Sequence, residues 1–168
     1  MRNVLTYFAL TLCLMAGCGA THTLDDRWLP LEEIVERPGN DTWATTIGKR
    51  VYVANLERFF AKHPEDSIQL ESLLSHELVH SWRQHQKGVN GWLIKYITNR
   101  EFRLREEAIA YYIDNRIEGR SKEEIVENLL RYRPSMGTED EIRAVVEETI
   151  ANPPLKEDLP PQLRHLGR

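Results

Sequence analysis

Cysteine is nearly absent from this sequence: the 168 residues include two, Cys13 and Cys18, both within the first eighteen positions. A chain with no cysteine beyond position 18 builds no disulfide framework, so its stability has to come from packing or from a bound ion. A large charge of one sign is lacking too. Twenty-two basic residues against twenty-six acidic ones give a net charge of −4. That excludes an overall basic footprint for a phosphate backbone and predicts no nucleic-acid partner. The charge-free N-terminal stretch, Val4 to Met15, has twelve residues, short of the ~20 that a membrane-spanning helix needs. What is present, 41% hydrophobic and 29% charged residues, is the profile of one globular domain.

The N-terminus reads as an address. Arg2 precedes the apolar stretch, as in a secretory signal. Leu14-Met15-Ala16-Gly17-Cys18 then resembles the lipobox of bacterial lipoproteins, with Met15 where Leu is commoner. The resemblance implies lipidation of Cys18 and export, with the protein held at a membrane by acyl chains. Gly19, rather than Asp, follows the cysteine, so an outer-membrane destination is permitted in a Gram-negative host. The chain divides accordingly into an export signal over 1–17, a lipidated tether over 18–27, a folded domain over 28–152 and a proline-rich tail over 153–168.

Within the folded domain, Pro38 to Asp41 is a turn cluster. Residues 42–47 and 50–54, rich in Thr, Ile, Val, Tyr and Trp and joined by Gly48-Lys49, predict a β-hairpin. A lone hairpin is marginal, so it has to pack on something. Pro64 to Ser67 opens a helix in which Leu70, Leu73, Leu74, Leu78, Val79 and Trp82 recur at helical spacing up to Lys87-Gly88. A second helix is expected to begin between Trp92 and Asn99 and to run to Gly119. Two capping boxes, Ser121 with Glu124 and Thr138 with Glu141, open two more. The four prolines from Pro153 to Pro161 predict an extended, mobile tail. The fold class expected is α+β: mostly helical, with a small antiparallel hairpin packed on the first long helix.

That helix contains His76-Glu77-Leu78-Val79-His80. At 3.6 residues per turn, His76 and His80 project from one face, close enough for both imidazoles to bind one zinc ion. Glu77 overlooks the same place and suits a general base that takes a proton from attacking water. A zinc hydrolase needs a third protein ligand. His85 lies about 140° round the helix from His80, and His22, His63 and His165 fall outside the helix. A carboxylate from the second helix is the better source, and Arg105-Glu106-Glu107-Ala108-Ile109-Ala110-Tyr111 offers two.

The motif and its surroundings resemble the small, minimal gluzincins, in which two helices supply His, His and Glu. Their pattern is a hairpin with a Gly turn, then Leu-Leu-x-His-Glu-Leu-x-His-x-x-x-Gln, then Glu-x-x-Ala. Here those positions are Gly48, Leu73-Leu74, His76 to His80, Gln84, and Glu107 with Ala110, a span of roughly residues 42 to 118. The resemblance implies a zincin-like domain whose zinc ligands are His76, His80 and Glu107. Glu106 stays as the rival ligand, because Tyr111 stands where many relatives carry Asp or Asn. Glu107, Tyr111 and Asp114 share one helical stripe. Asp114 is expected to fix a ligand histidine's tautomer, and Tyr111 or Tyr112 is a candidate oxyanion donor, with packing as the competing role. Arg100, Arg103 and Arg105 read either as an acidic-substrate contact or as a solvated face with ion pairs to Glu101 and Glu106. Trp82 and Trp92 read as core.

These readings predict a zinc metallopeptidase of the cell envelope with a peptide or protein substrate, aligned by strand addition at the hairpin's free edge. The alternative is a non-catalytic zinc-binding envelope lipoprotein on the same scaffold.

Overall fold

Four strands in mixed order form the sheet against which the helices are built. The computed structural model of the chain describes residues 19–37, 44–65, 67–131 and 135–168. The export signal, Cys18 and the turn cluster from Pro38 to Asp41 lie outside the described residues. Strands β1 (Thr21–Thr23), β2 (Glu33–Glu36), β3 (Thr45–Ile47) and β4 (Arg50–Val53) lie in the order β1-β2-β4-β3. The predicted hairpin is β3–β4, paired antiparallel with Thr46 opposite Val51. Gly48 turns it at φ 61°, where a residue without Cβ is unstrained. The other pairs are long-range: β2 runs parallel to β4 with Ile34 opposite Val51, and β1 runs antiparallel to β2. The predicted tether is therefore partly sheet. Polar Thr21-His22-Thr23 works as an edge strand because only His22 turns inward, its ring 4.6 Å from that of Phe60.

The helices are α1 (Leu56–Lys62), α2 (Ile68–Lys87), α3 (Val89–Thr98), α4 (Arg100–Glu118), α5 (Lys122–Leu130) and α6 (Glu139–Ala151). The first long helix forms as predicted: the Ser67 hydroxyl accepts from the Leu70 amide at its start, and Gly88 follows its end at φ 79°. Both capping boxes are present, opening α5 and α6. The predicted second helix is α4, and a further helix, α3, precedes it. Asn99 leaves helical geometry at φ −115°, and its side chain caps α4 by accepting from the Phe102 amide, so α3 and α4 meet at a corner rather than in line.

Leu74, Leu78 and Val79 of α2 are fully buried with Ile34 and Val51 of the sheet and Ala110 and Ile113 of α4. Each such aliphatic side chain contributes about 1.5–3 kcal/mol on burial. Ala110, 0% exposed in the same core, allows α4 to lie close on α2. A second apolar cluster joins Leu104 of α4 to Ile125, Val126 and Leu129 of α5 and to Ile142 and Val146 of α6.

The tail departs from expectation. Short 3₁₀ turns at Lys156–Asp158 and Pro161–Leu166 fold it back, and Leu159 and Leu163 enter the main core. The Gln162 amide donates to the Leu29 carbonyl at 2.7 Å, and the Arg168 amide donates to the Pro154 carbonyl at 3.1 Å. The prolines do end α-helix, but the buried leucines supply the apolar contact that holds the tail against the domain. Among the described residues, no helix is long and apolar enough to cross a membrane.

Candidate metal centre

Two helices bring three donor side chains together. His76 and His80, four residues apart on α2, place their Nε2 atoms 3.1 Å from each other. Glu107 of α4 faces both: Oε1 lies 3.2 Å from His80 Nε2 and Oε2 lies 3.5 Å from His76 Nε2. All three residues are at least nine-tenths buried, and their ligand atoms lie within 4.8 Å of one another, close enough to hold a metal ion.

Glu106 takes no part. Its side chain, 2% exposed, receives the Arg83 guanidinium through Nε and Nη2 and the Lys87 ammonium at 2.8 Å. Burial pushes its carboxyl up, and the two cations outweigh burial and hold the pKa below the ordinary value. One step along the helix, Glu107 turns the other way.

Asp114 stands where the stripe predicts, with Oδ2 3.2 Å from His76 Nδ1. This bond orients the ring and leaves Nε2 toward the cluster. Burial lowers the His76 pKa, but Asp114 and then Glu107 raise it well above the usual value; burial raises that of Asp114. At Glu107 burial acts upward, and His80 with His76 outweighs it and holds the carboxyl well below the usual range. The pattern is that of a buried donor set drawing positive charge.

Glu77 is 6% exposed, and its Oε2 is buried without a hydrogen-bond partner among the described residues. No lysine or arginine pairs with Glu77 or Glu107 there. Tyr111 sets its ring edge-on against His76, centroids 4.7 Å apart, and leans on the second apolar cluster. Tyr112 is buried in the main core.

The arginine cluster is engaged elsewhere. Arg100 pairs with Glu141, and Arg105 pairs with Glu101 and Glu148, while Arg103 donates to the carbonyls of Tyr96, Ile97 and Ser135. It meets Glu101 as expected, but Glu106 answers to Arg83 and Lys87 instead. Trp92 is buried as predicted, yet it stands at the site, its ring edge-on to His80 at 5.7 Å.

One contact was missed from the sequence. The Tyr96 hydroxyl donates to Glu107 Oε1. In one continuous helix these residues, eleven apart, would be about 16.5 Å distant along the axis. The corner at Asn99 brings them together, and the Asn99 side-chain cap three residues before Phe102 is the signal that could have located it. Burial and the neighbouring Glu107 carboxylate push the Tyr96 phenol well above its usual pKa, so it is a donor.

The hairpin is fastened to the same helix. Gln84, fully buried one turn beyond His80, donates to the Thr46 carbonyl at 2.9 Å and accepts from the Gly48 amide at 2.7 Å. The Ser81 hydroxyl donates to the Gly48 carbonyl at 2.6 Å.

Fold and site together define a mostly helical α+β protein with a buried two-histidine, one-carboxylate cluster able to hold a metal ion. No family model, curated protein or solved structure matches the chain.

Proposed function

We propose that this protein is a zinc-dependent metallopeptidase of the gluzincin type, acting on peptides or proteins in the cell envelope and anchored by a lipid on Cys18. The observation that supports the activity is the convergence of His76, His80 and Glu107 beside an unpartnered buried oxygen of Glu77. Zinc bonds of about 2.0–2.1 Å in a tetrahedron put neighbouring donors about 3.3–3.4 Å apart. The donor separations of 3.1, 3.2 and 3.5 Å, the latter two to one or other oxygen of Glu107, fit that spacing. Two neutral imidazoles and one carboxylate are also the ligand set of hydrolytic zinc, which leaves a position open.

When bound, zinc supplies Lewis acidity that makes water a nucleophile near neutral pH and polarises a peptide carbonyl. Glu77 holds the proton chemistry: its Oε2 accepts the proton of the attacking water and passes it to the leaving amine nitrogen. Asp114 keeps His76 in the tautomer that presents Nε2, and Trp92 with Tyr111 walls the imidazoles from solvent. Tyr111 is the proposed oxyanion donor. Strand β3, the sheet edge against α2, aligns an extended substrate along the part of its edge not already bonded to Gln84. Anchoring rests on the lipobox resemblance at Leu14 to Cys18.

The test is metal analysis and peptide-library hydrolysis with a chain that begins after Cys18. One zinc per chain, with turnover abolished by chelator and by Glu77→Gln, is the expected result. A zinc-loaded protein that hydrolyses nothing would favour the non-catalytic reading, and a chain that binds no stoichiometric zinc would sink both.

A further inference from the structure

We infer that Tyr96 is a positioning residue of the metal site, holding one oxygen of Glu107 by a hydrogen bond so that the ligand presents its other oxygen alone to the ion. This rests on the proposed zinc site and adds a residue that neither the His-Glu-x-x-His motif nor the Glu-x-x-Ala pattern contains.

A carboxylate facing a metal can bind through one oxygen or both, and the second mode fills a coordination position that a hydrolase needs for water and substrate. Tyr96 donates to Oε1 of Glu107, which also lies 3.2 Å from His80 Nε2, while Oε2 lies 3.5 Å from His76 Nε2 and is left for the ion. An oxygen engaged by a phenol is the poorer metal ligand, so the ion takes Oε2.

The rest of α3 is arranged to keep the phenol there. Its ring stacks on that of Trp92, centroids 4.7 Å apart and planes 15° from parallel, and Trp92 in turn packs edge-on against His80 and Phe102. The Arg103 guanidinium carbon also lies 5.9 Å from the Tyr96 ring centroid. The same guanidinium donates to the Tyr96 carbonyl at 2.7 Å, the Ile97 carbonyl at 3.2 Å and the Ser135 carbonyl at 2.5 Å, holding the end of α3 against the start of α4. Ring, backbone and corner are each fixed by a different contact. The hydroxyl is therefore pre-set on Glu107 rather than drawn there by chance of rotamer.

Tyr96→Phe removes the hydroxyl and keeps the ring. With the chain beginning after Cys18, zinc affinity is measured by competition with a chromophoric chelator, and coordination by the visible spectrum of the cobalt-substituted protein. Affinity is expected to fall about 10- to 100-fold, the usual effect of losing a partner of a metal ligand. The cobalt absorption is expected to weaken as Glu107 becomes free to bind through both oxygens. Tyr96→His, which restores a ring donor, is expected to recover part of both. A Tyr96→Phe protein with zinc affinity within twofold of wild type and the same cobalt spectrum overturns the inference and leaves the zinc site standing. So does a Tyr96→His protein no better than Tyr96→Phe, or a Tyr96→Phe chain that fails to fold even with zinc, since the hydroxyl would then serve the fold. Wild-type protein that binds no zinc overturns the proposed function itself.

Discussion

Glu106 and Glu107 are neighbours on one helix, both buried, and their surroundings are opposites. On the Glu106 side of the α2–α4 seam, Arg83 and Lys87 answer one carboxylate, and the charge is balanced within the chain. On the Glu107 side, Glu107 and Asp114 share two imidazoles, the Glu77 Oε2 beside them has no partner, and no lysine or arginine pairs with Glu77 or Glu107 among the described residues. The first arrangement locks two helices together. The second gathers more negative charge than its own residues offset, and a dication is what would balance it. Burial alone does not separate a structural carboxylate from a functional one; what faces it does.

The sharpest way to break this contrast is at the Glu77 oxygen. Glu77→Gln is expected to lower the hydrolytic rate about 10²- to 10⁴-fold with the metal content unchanged, as measured by metal analysis beside a peptide assay. Replacing the two neighbours in turn comes next. Glu107→Ala should leave the protein without bound zinc and remove the rise in thermal stability that zinc gives wild type. Glu106→Ala should keep the zinc and lose about 3 kcal/mol of stability, because Arg83 is then buried without its partner; urea titration reads the difference. If Glu106→Ala loses the metal and Glu107→Ala does not, the two sides of the seam have been assigned the wrong way round.

A smaller effect is expected at Gln84. Gln84→Ala breaks two hydrogen bonds to the hairpin and leaves the buried Thr46 carbonyl without its donor, at about 2 kcal/mol. It should disturb hydrolysis more than metal content, since the donors themselves are untouched. Smallest is Thr138→Ala in the α6 capping box, far from the site, at about 1 kcal/mol and with no change in zinc. The Thr138 backbone amide and hydroxyl hold the Glu141 pKa below its ordinary value. That contribution is present above the ordinary carboxylate range and is lost as pH falls through the lowered pKa. The gap between Thr138→Ala and wild type should therefore narrow in acid.

The parts legible in the sequence were those whose signal is local. Ser67, Gly88 and the two capping boxes sit within one turn of what they control, and helical spacing alone puts His76 beside His80 and carries Asp114 to the same stripe as Glu107. Choosing Glu107 over Glu106 needed the family pattern, because both lie on one helix and differ by what a second helix sets opposite them. The parallel pairing of β2 with β4 joins segments more than a dozen residues apart and has no signature in either. Thr21 to Thr23 read as tether because an edge strand half in water needs few apolar residues. The tail read as mobile from its prolines, while Leu159 and Leu163, the residues that bury it, are two isolated apolar positions on either side of Pro160-Pro161 and form no helical run. Tyr96 was hidden by the corner at Asn99, which makes neighbours of residues that a straight helix would keep apart.

The Gln84 clamp has a mechanical consequence. The clamp and both histidines share one helix, with the glutamine a single turn past His80 and its bonds reaching residues on either side of Ile47. A slip of one residue in β3 would present the wrong edge of the strand and cost Gln84 both partners at once. The two-residue turn at Gly48-Lys49 is in effect a gauge block: it sets how far the sheet edge stands from His76 and His80. The distance between the sheet edge and His76 and His80 is therefore set by the turn and by α2 together, and side-chain changes elsewhere leave it as it is.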